Sequence, residues 1–183
     1  MRIEGPRVII RQMKIEDSEN FYAYRSDPQV CKYQNFMVKT KAESDHFIEK
    51  QKELPLGVPG QWLQIAIEHK LEEKLIGDCA ILFKEDEPRI VEIGYTVHPD
   101  YQRQGYATEA VRMLMKTVFK DHNVHKILAK VDVRNPSSAR VLEKIGFKQE
   151  GRFCQHFYDH QDKAWIDEIQ FAYMKEDFME EIF

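Results

Sequence analysis

Cysteine, glycine, proline, long apolar runs and surplus positive charge are all scarce in this sequence, and each shortage removes a class of protein. The three cysteines, Cys31, Cys79 and Cys154, are too few for a disulfide framework and too far apart for a paired-cysteine zinc motif. A reducing compartment is expected. Eight glycines and seven prolines exclude a linker-rich or fibrous chain, and no repeat or low-complexity tract is visible. Before Arg11 the only apolar run is Val8 to Ile10, short of the roughly 7–15 residues of a signal-peptide core. No stretch approaches the roughly 18 apolar residues of a membrane span, so a cytoplasmic protein with no membrane partner is expected. Lys plus Arg number 27 against 31 Asp plus Glu, a formal net charge of -4. General nucleic-acid binders are basic, so no nucleic-acid partner is expected.

What is present is the make-up of a soluble globular protein: 43% hydrophobic and 32% charged residues in a chain of 183, ample for one core. Residues 7–13, RVIIRQM, are short and β-branched. Residues 14–28 then predict a helix that stops before Pro28, with Asp17 or Ser18 as its cap. A second helix is expected over 40–54, where Thr40 and Glu43 form a capping-box pattern and Phe47, Ile48 and Leu54 supply an apolar face. Three strands, 61–68, 74–84 and 89–97, follow with short polar turns between them, the mark of an antiparallel meander. Helical spacing returns from Gly105 to about Asp121. A strand at 125–133, a short helix at 136–146 ended by Gly146, and two strands around the turn DHQDK complete the chain. The pattern predicts one α+β domain over residues 1–183, with a mixed, mostly antiparallel sheet of seven strands and about four helices.

The densest chemical signal is IVEIGYTVHPDYQRQGYATEAVRMLMK. A strand that runs through a glycine-containing turn into a helix presents free backbone N–H groups and the positive end of a helix dipole, an arrangement suited to phosphate or pyrophosphate. Gly105 lets the main chain approach a ligand with no Cβ in the way, and Ala107 keeps the next turn narrow. A P-loop would need Gly-Lys-Ser/Thr and a dinucleotide fold GxGxxG, and neither is present. The plain alternative is a tight turn with no ligand. A second signal is VDVRNPSSARVLEKIGF, where Asn135 before Pro136 makes a good helix cap. If the two strands that lead into these turns are neighbours, both turns edge one cleft.

Together the two strings carry a resemblance. QRQGYA followed by RNPSSARVLEKIGF is similar to the GNAT superfamily of N-acetyltransferases. Gln102, Gly105 and Ala107 match the Q/R-x-x-G-x-G/A signature, and Asn135, Ser138, Glu143, Lys144, Gly146 and Phe147 match its second block. The opening RVIIRQMKIEDSENFYAYRSDPQV and VEIGYTVHPDYQRQGYATEA resemble the branch that includes the ribosomal-protein alanine N-acetyltransferases. The likeness covers nearly the whole chain. It implies acetyl-CoA as co-substrate and no metal, with the CoA pyrophosphate on the N–H groups of residues 103–108. The cofactor residues so implied are Gln102, Arg103, Gln104, Gly105, Tyr106, Ala107 and Thr108. The pantetheine arm is expected to lie like an added strand beside 89–97, hydrogen-bonded by Asn135. The backbone near Val97 is expected to meet the thioester carbonyl and stabilise the oxyanion.

Acetyl transfer to an amine requires that amine neutral, and a lysine-like amine of pKa about 10.4 is protonated at neutral pH. Glu92, the carboxylate in an otherwise apolar strand, is the expected base, directly or through water; the competing reading is a surface carboxylate. Many family members carry a tyrosine directly before Glu-Lys-x-Gly-Phe as acid for the CoA thiolate. Leu142 stands there in this chain, which leaves Ser138 as the nearest hydroxyl or as a mere helix-start cap. Tyr101, Tyr106 and Tyr158 are expected to pack, His156 and His160 not to form a metal site, and the cysteines to be buried or partly buried. The acceptor is a protein N-terminal amine or a small amine, contacted from residues 20–60 and 150–165, which carry no signature. A monomer or homodimer fits, and the rival function is an acyl-CoA-binding sensor or interaction module without turnover.

Overall fold

The structure is a computed structural model that describes residues 1–34 and 36–180. Its strands are β1 (Arg2–Glu4), β2 (Val8–Gln12), β3 (Trp62–His69), β4 (Lys74–Phe83), β5 (Ile90–Val97), β6 (Lys126–Asp132), β7 (Lys148–Asp159) and β8 (Ala164–Met174). The helices are α1 (Ser18–Arg25), α2 (Lys41–Gln51), α3 (Tyr106–Asp121), α4 (Pro136–Ile145) and α5 (Lys175–Glu180). One eight-stranded sheet runs β1-β2-β3-β4-β5-β6-β8-β7. Every neighbouring pair is antiparallel except β5 and β6. The α+β class and mostly antiparallel mixed sheet agree with the sequence reading, whereas the counts of seven strands and four helices are each one short. The missed pieces, β1 and α5, are three and six residues long, too brief for a periodic pattern to register. Residues 181–183 of the expected domain lie outside the described residues.

The elements form where the apolar pattern places them. The α3 helix buries Ala110, Val111, Leu114, Met115, Val118 and Phe119. With Leu142 and Ile145 of α4, these side chains pack on Ile10, Ile65, Ile81, Val91, Ile93 and Ile127 to form the larger core. Each such large side chain contributes about 1.5–3 kcal/mol when fully buried. Phe21 and Tyr24 of α1 and Ile48 of α2 pack with Met13, Ala66 and Leu75 in a second cluster. Gly146, in the left-handed region at φ 114°, ends α4; the N–H groups of Gly146 and Phe147 both return to the Leu142 carbonyl, as in a Schellman-type stop.

Four local expectations are corrected. The 14–28 helix is split into a 3-10 turn, Ile15–Asp17, and α1. Asp17 caps nothing in α1, because both its oxygens hold Arg11 at 2.7 Å in a buried ion pair that Glu68 completes at 2.5 Å. At α2 the Thr40 hydroxyl accepts the Glu43 N–H at 3.1 Å, but the Glu43 carboxylate takes the Lys39 N–H instead of closing the box on Thr40. Cys154 is exposed, unlike the buried Cys31 and Cys79, because it lies on the edge strand β7. Among the described residues no helix is long and apolar enough to cross a membrane.

Candidate active site

The site begins with a strand pair that comes apart. Parallel β5 and β6 are in register only from Ile90 to Glu92 against Lys126 to Leu128, and β5 continues five residues further without that partner. The His98 N–H bonds to Ile76 O at 2.8 Å. Hydrogen-bonded pairs alternate along an antiparallel ladder, so Thr96 also faces β4, while Tyr95 and Val97 turn their N–H and C=O groups into the gap. Gly77 sits across from Val97. A Cβ there would stand 2.4 Å from the Thr96 carbonyl, so only glycine allows the approach.

The chain leaves β5 through a 3-10 turn, Pro99–Tyr101, and enters α3 with Arg103 at φ 61° and Gly105 at φ 86°. The first α-helical bond is Glu109 N–H to Gly105 O at 3.0 Å, and no side chain caps the end. The N–H groups of Tyr106, Ala107 and Thr108 therefore open onto the cavity that those residues line. The left-handed φ by itself favours glycine at this position. A Cβ on Gly105 would approach the Arg7 guanidinium at 3.2 Å, so the position is constrained from behind the turn. Gln102 donates to Val97 O at 3.0 Å and Gln104 to Asp100 O at 2.8 Å, both holding the turn itself.

On the other side of the gap, Asn135 Oδ1 accepts the Ser138 N–H at 3.2 Å and caps α4, which leaves its amide N–H groups to donate. The Tyr95 hydroxyl crosses from β5 to Ser138, at 2.8 Å from its carbonyl and 2.9 Å from its Oγ. Because a carbonyl only accepts, the Tyr95 proton goes there and the Ser138 hydroxyl donates to the Tyr95 oxygen. Burial pushes the Tyr95 phenol well above its ordinary value, although the Ser138 bond works the other way. Tyr95 thus stays neutral and bridges the gap.

These pieces enclose a cavity of about 570 Å³. Of the expected site residues, Val97, Arg103, Gly105, Tyr106, Ala107, Thr108, Asn135, Ser138 and Gln102 line it, and Gln104 and Glu92 do not. Glu92 is held by Lys84 at 2.5 Å and Lys130 at 3.5 Å. It lies four residues before Thr96 on the same face of β5, about 13 Å along the strand. Glu92 therefore stands apart from the Thr96 end of the cavity.

Among the described residues the lining includes Arg103, Arg140 and Lys144 and no carboxylate, so a protein of net charge -4 presents a cationic cavity suited to a polyanion. At the opposite end stand Gln29, Tyr33 and Gln34, which sequence reasoning missed. Gln34 Oε1 accepts from Arg25 at 2.5 Å and from Thr96 at 2.9 Å. Arg25 is itself paired with the fully buried Asp78, which also accepts from Tyr24 at 2.6 Å and Gln64 at 2.5 Å.

The model of the Acetyltransferase (GNAT) domain matches residues 7–148. The uncharacterized N-acetyltransferase YnaD of Bacillus subtilis (strain 168) is 32% identical over 177 residues, 97% of this chain and 99% of that protein. A GNAT-family acetyltransferase from Bacillus anthracis superimposes with a TM-score of 0.81 at 31% identity, covering 96% of this chain and 99% of the other. The ribosomal-protein-S5-alanine acetyltransferase of Vibrio fischeri shares the fold, with a TM-score of 0.80 at 23% identity over 97% of this chain and 98% of its own.

Proposed function

The chain belongs to the GNAT acetyltransferase family, and from that premise we propose that it moves acetyl from acetyl-CoA to a primary amine by direct attack in a ternary complex. The observation that carries this reading is the cavity itself: cationic walls, open α3 N–H groups and the free edge of β5 meet in one space. The pyrophosphate sits on the N–H groups of Tyr106, Ala107 and Thr108, and the pantetheine arm lies along Tyr95–Val97, with Asn135 donating to it. The Val97 N–H faces the thioester carbonyl and stabilises the oxyanion as the amine nitrogen attacks. The C–S bond then breaks, and the Ser138 hydroxyl turns from Tyr95 to hydrogen-bond the departing sulfur.

The acceptor enters past Gln29, Tyr33 and Gln34, and its proton leaves through water toward Glu92. A protein N-terminal amine is the favoured acceptor class, supported by the opening segment that resembles the alanine-acetylating branch; a small amine is the other. The reading places the enzyme in the cytoplasm, where acetyl-CoA is available and the free thiols Cys31, Cys79 and Cys154 stay reduced. An acceptor panel of short peptides and small amines, scored by CoA release with CoA affinity measured in parallel, tests it. Release driven by at least one amine supports transfer, whereas CoA binding with no release on any acceptor would favour a sensor.

A further inference from the structure

The turn between β1 and β2 packs against the first turn of α3. A Cβ on Gly5 would lie 2.5 Å from Met113 Sδ and 3.0 Å from Glu109 Oε1, so the glycine sits directly against side chains of α3. Glu109, in the first turn of α3, accepts the Arg7 N–H at 2.7 Å and the Val8 N–H at 3.1 Å through one oxygen, and Arg7 Nε at 2.8 Å through the other. Burial acts to raise the Glu109 carboxyl, and these Arg7 and Val8 donors outweigh it and hold the carboxyl below its ordinary value. Arg7 Nη1 then donates to the Gln104 carbonyl at 2.8 Å, with the guanidinium carbon 4.7 Å from the centre of the Tyr106 ring.

From this geometry we infer that Arg7 is a positioning residue for the donor's pyrophosphate: it holds the Gln104–Gly105 peptide from behind, so that the turn presents its N–H groups forward. The inference rests on the acetyl-CoA reading above. A trans peptide points its C=O and N–H in opposite directions. A guanidinium fixed on the Gln104 carbonyl therefore sets the direction of the Gly105 N–H and, through it, the entry into α3. Without that bond, Arg103 and Gly105, both left-handed, lose the contact that fixes the Gln104 carbonyl, while Gln102 and Gln104 still hold the turn from its front through Val97 O and Asp100 O. The positive charge behind the turn also adds to the field at the anion site.

The test compares two acetyl donors, acetyl-CoA and S-acetylpantetheine, which lacks the pyrophosphate. Arg7→Met is expected to raise the Kd of CoA and the KM of acetyl-CoA about tenfold, a loss typical of one charge-assisted contact, while kcat/KM with S-acetylpantetheine stays within twofold. Arg7→Lys, which keeps the charge but cannot reach Glu109 and Gln104 together, is expected to fall between. Unchanged CoA affinity in Arg7→Met overturns the inference, and so does an equal loss with both donors. If Arg7→Met does not fold, Arg7→Lys carries the same comparison. Wild-type protein that binds no CoA overturns the donor reading itself, a result distinct from either.

Discussion

The two ends of the cavity are built by different means. The end beside α3 is made of main chain: free N–H groups, two left-handed residues and a strand edge opened by the departure of β6. The other end is made of side chains, with Gln34 held between Thr96 and Arg25, and Arg25 held in turn by Asp78. Main-chain recognition depends on a few conformational requirements at fixed spacing, whereas side-chain recognition depends on contacts between residues far apart in the chain. The first constrains sequence locally. The second lets the Gln34 end change while the main-chain end stays fixed, an arrangement on which one fold can serve many acceptors.

Four substitutions can break or sharpen that contrast, beginning with the largest expected effect. Asp78→Ala leaves Arg25 buried without its partner, and stripping one member of a buried pair costs about 3–5 kcal/mol. A denaturant melt is expected to show that loss, while CoA affinity in the folded fraction stays within about twofold; a comparable loss of CoA binding would mean that the two ends are not separable. Gly105→Val places a β-branched residue at φ 86° with its Cβ against Arg7, at a backbone cost of about 1–3 kcal/mol. Calorimetry is expected to show CoA affinity reduced about 10- to 100-fold, with acceptor preference unaltered at saturating donor.

Glu92→Gln tests the water path for the amine proton. The expected loss is about tenfold near neutral pH, below the 10²–10⁴ of direct general-base catalysis. It should shrink as pH rises toward the amine's own pKa, because a neutral amine no longer needs the base; a loss that is the same at every pH removes Glu92 from the reaction. Ser138→Ala is the mildest. Asn135 already caps the Ser138 N–H and the Tyr95 proton keeps the Ser138 carbonyl, so stability should change by no more than about 1 kcal/mol. Turnover is expected to fall about threefold, roughly 0.6 kcal/mol by the same conversion, with donor affinity retained; full activity would leave the thiolate to solvent.

The same contrast explains what could be read in the sequence. The run from Val97 to Thr108 and the cap at Asn135 were legible because each needs particular residues within one turn of chain. The strand that carries Glu92 is legible, but its partners are not: apolar neighbours in sequence say nothing about Lys84 and Lys130, which reach it from the chain segment after β4 and from β6. Asp17 carries a cap pattern, as Ser18 does, because the residue types that cap helices also pair with cations, and its partner Arg11 comes from the preceding strand. Gln34 and Tyr95 carried no local signal. Gln34 is placed through Arg25, which the buried Asp78 holds from forty-four residues beyond Gln34 in the chain, and Tyr95 is placed by Ser138, forty-three residues further on, separations that sequence periodicity does not report.

The central claim is direct transfer from acetyl-CoA to an amine bound beside it, and the rate of CoA release measured as both substrates are varied tests it most directly. The account requires release that depends on the amine, reciprocal plots that intersect, and one acetylated amine for each CoA freed. Parallel plots with an acetylated protein intermediate, or CoA bound in the cavity and released by no amine, would contradict it.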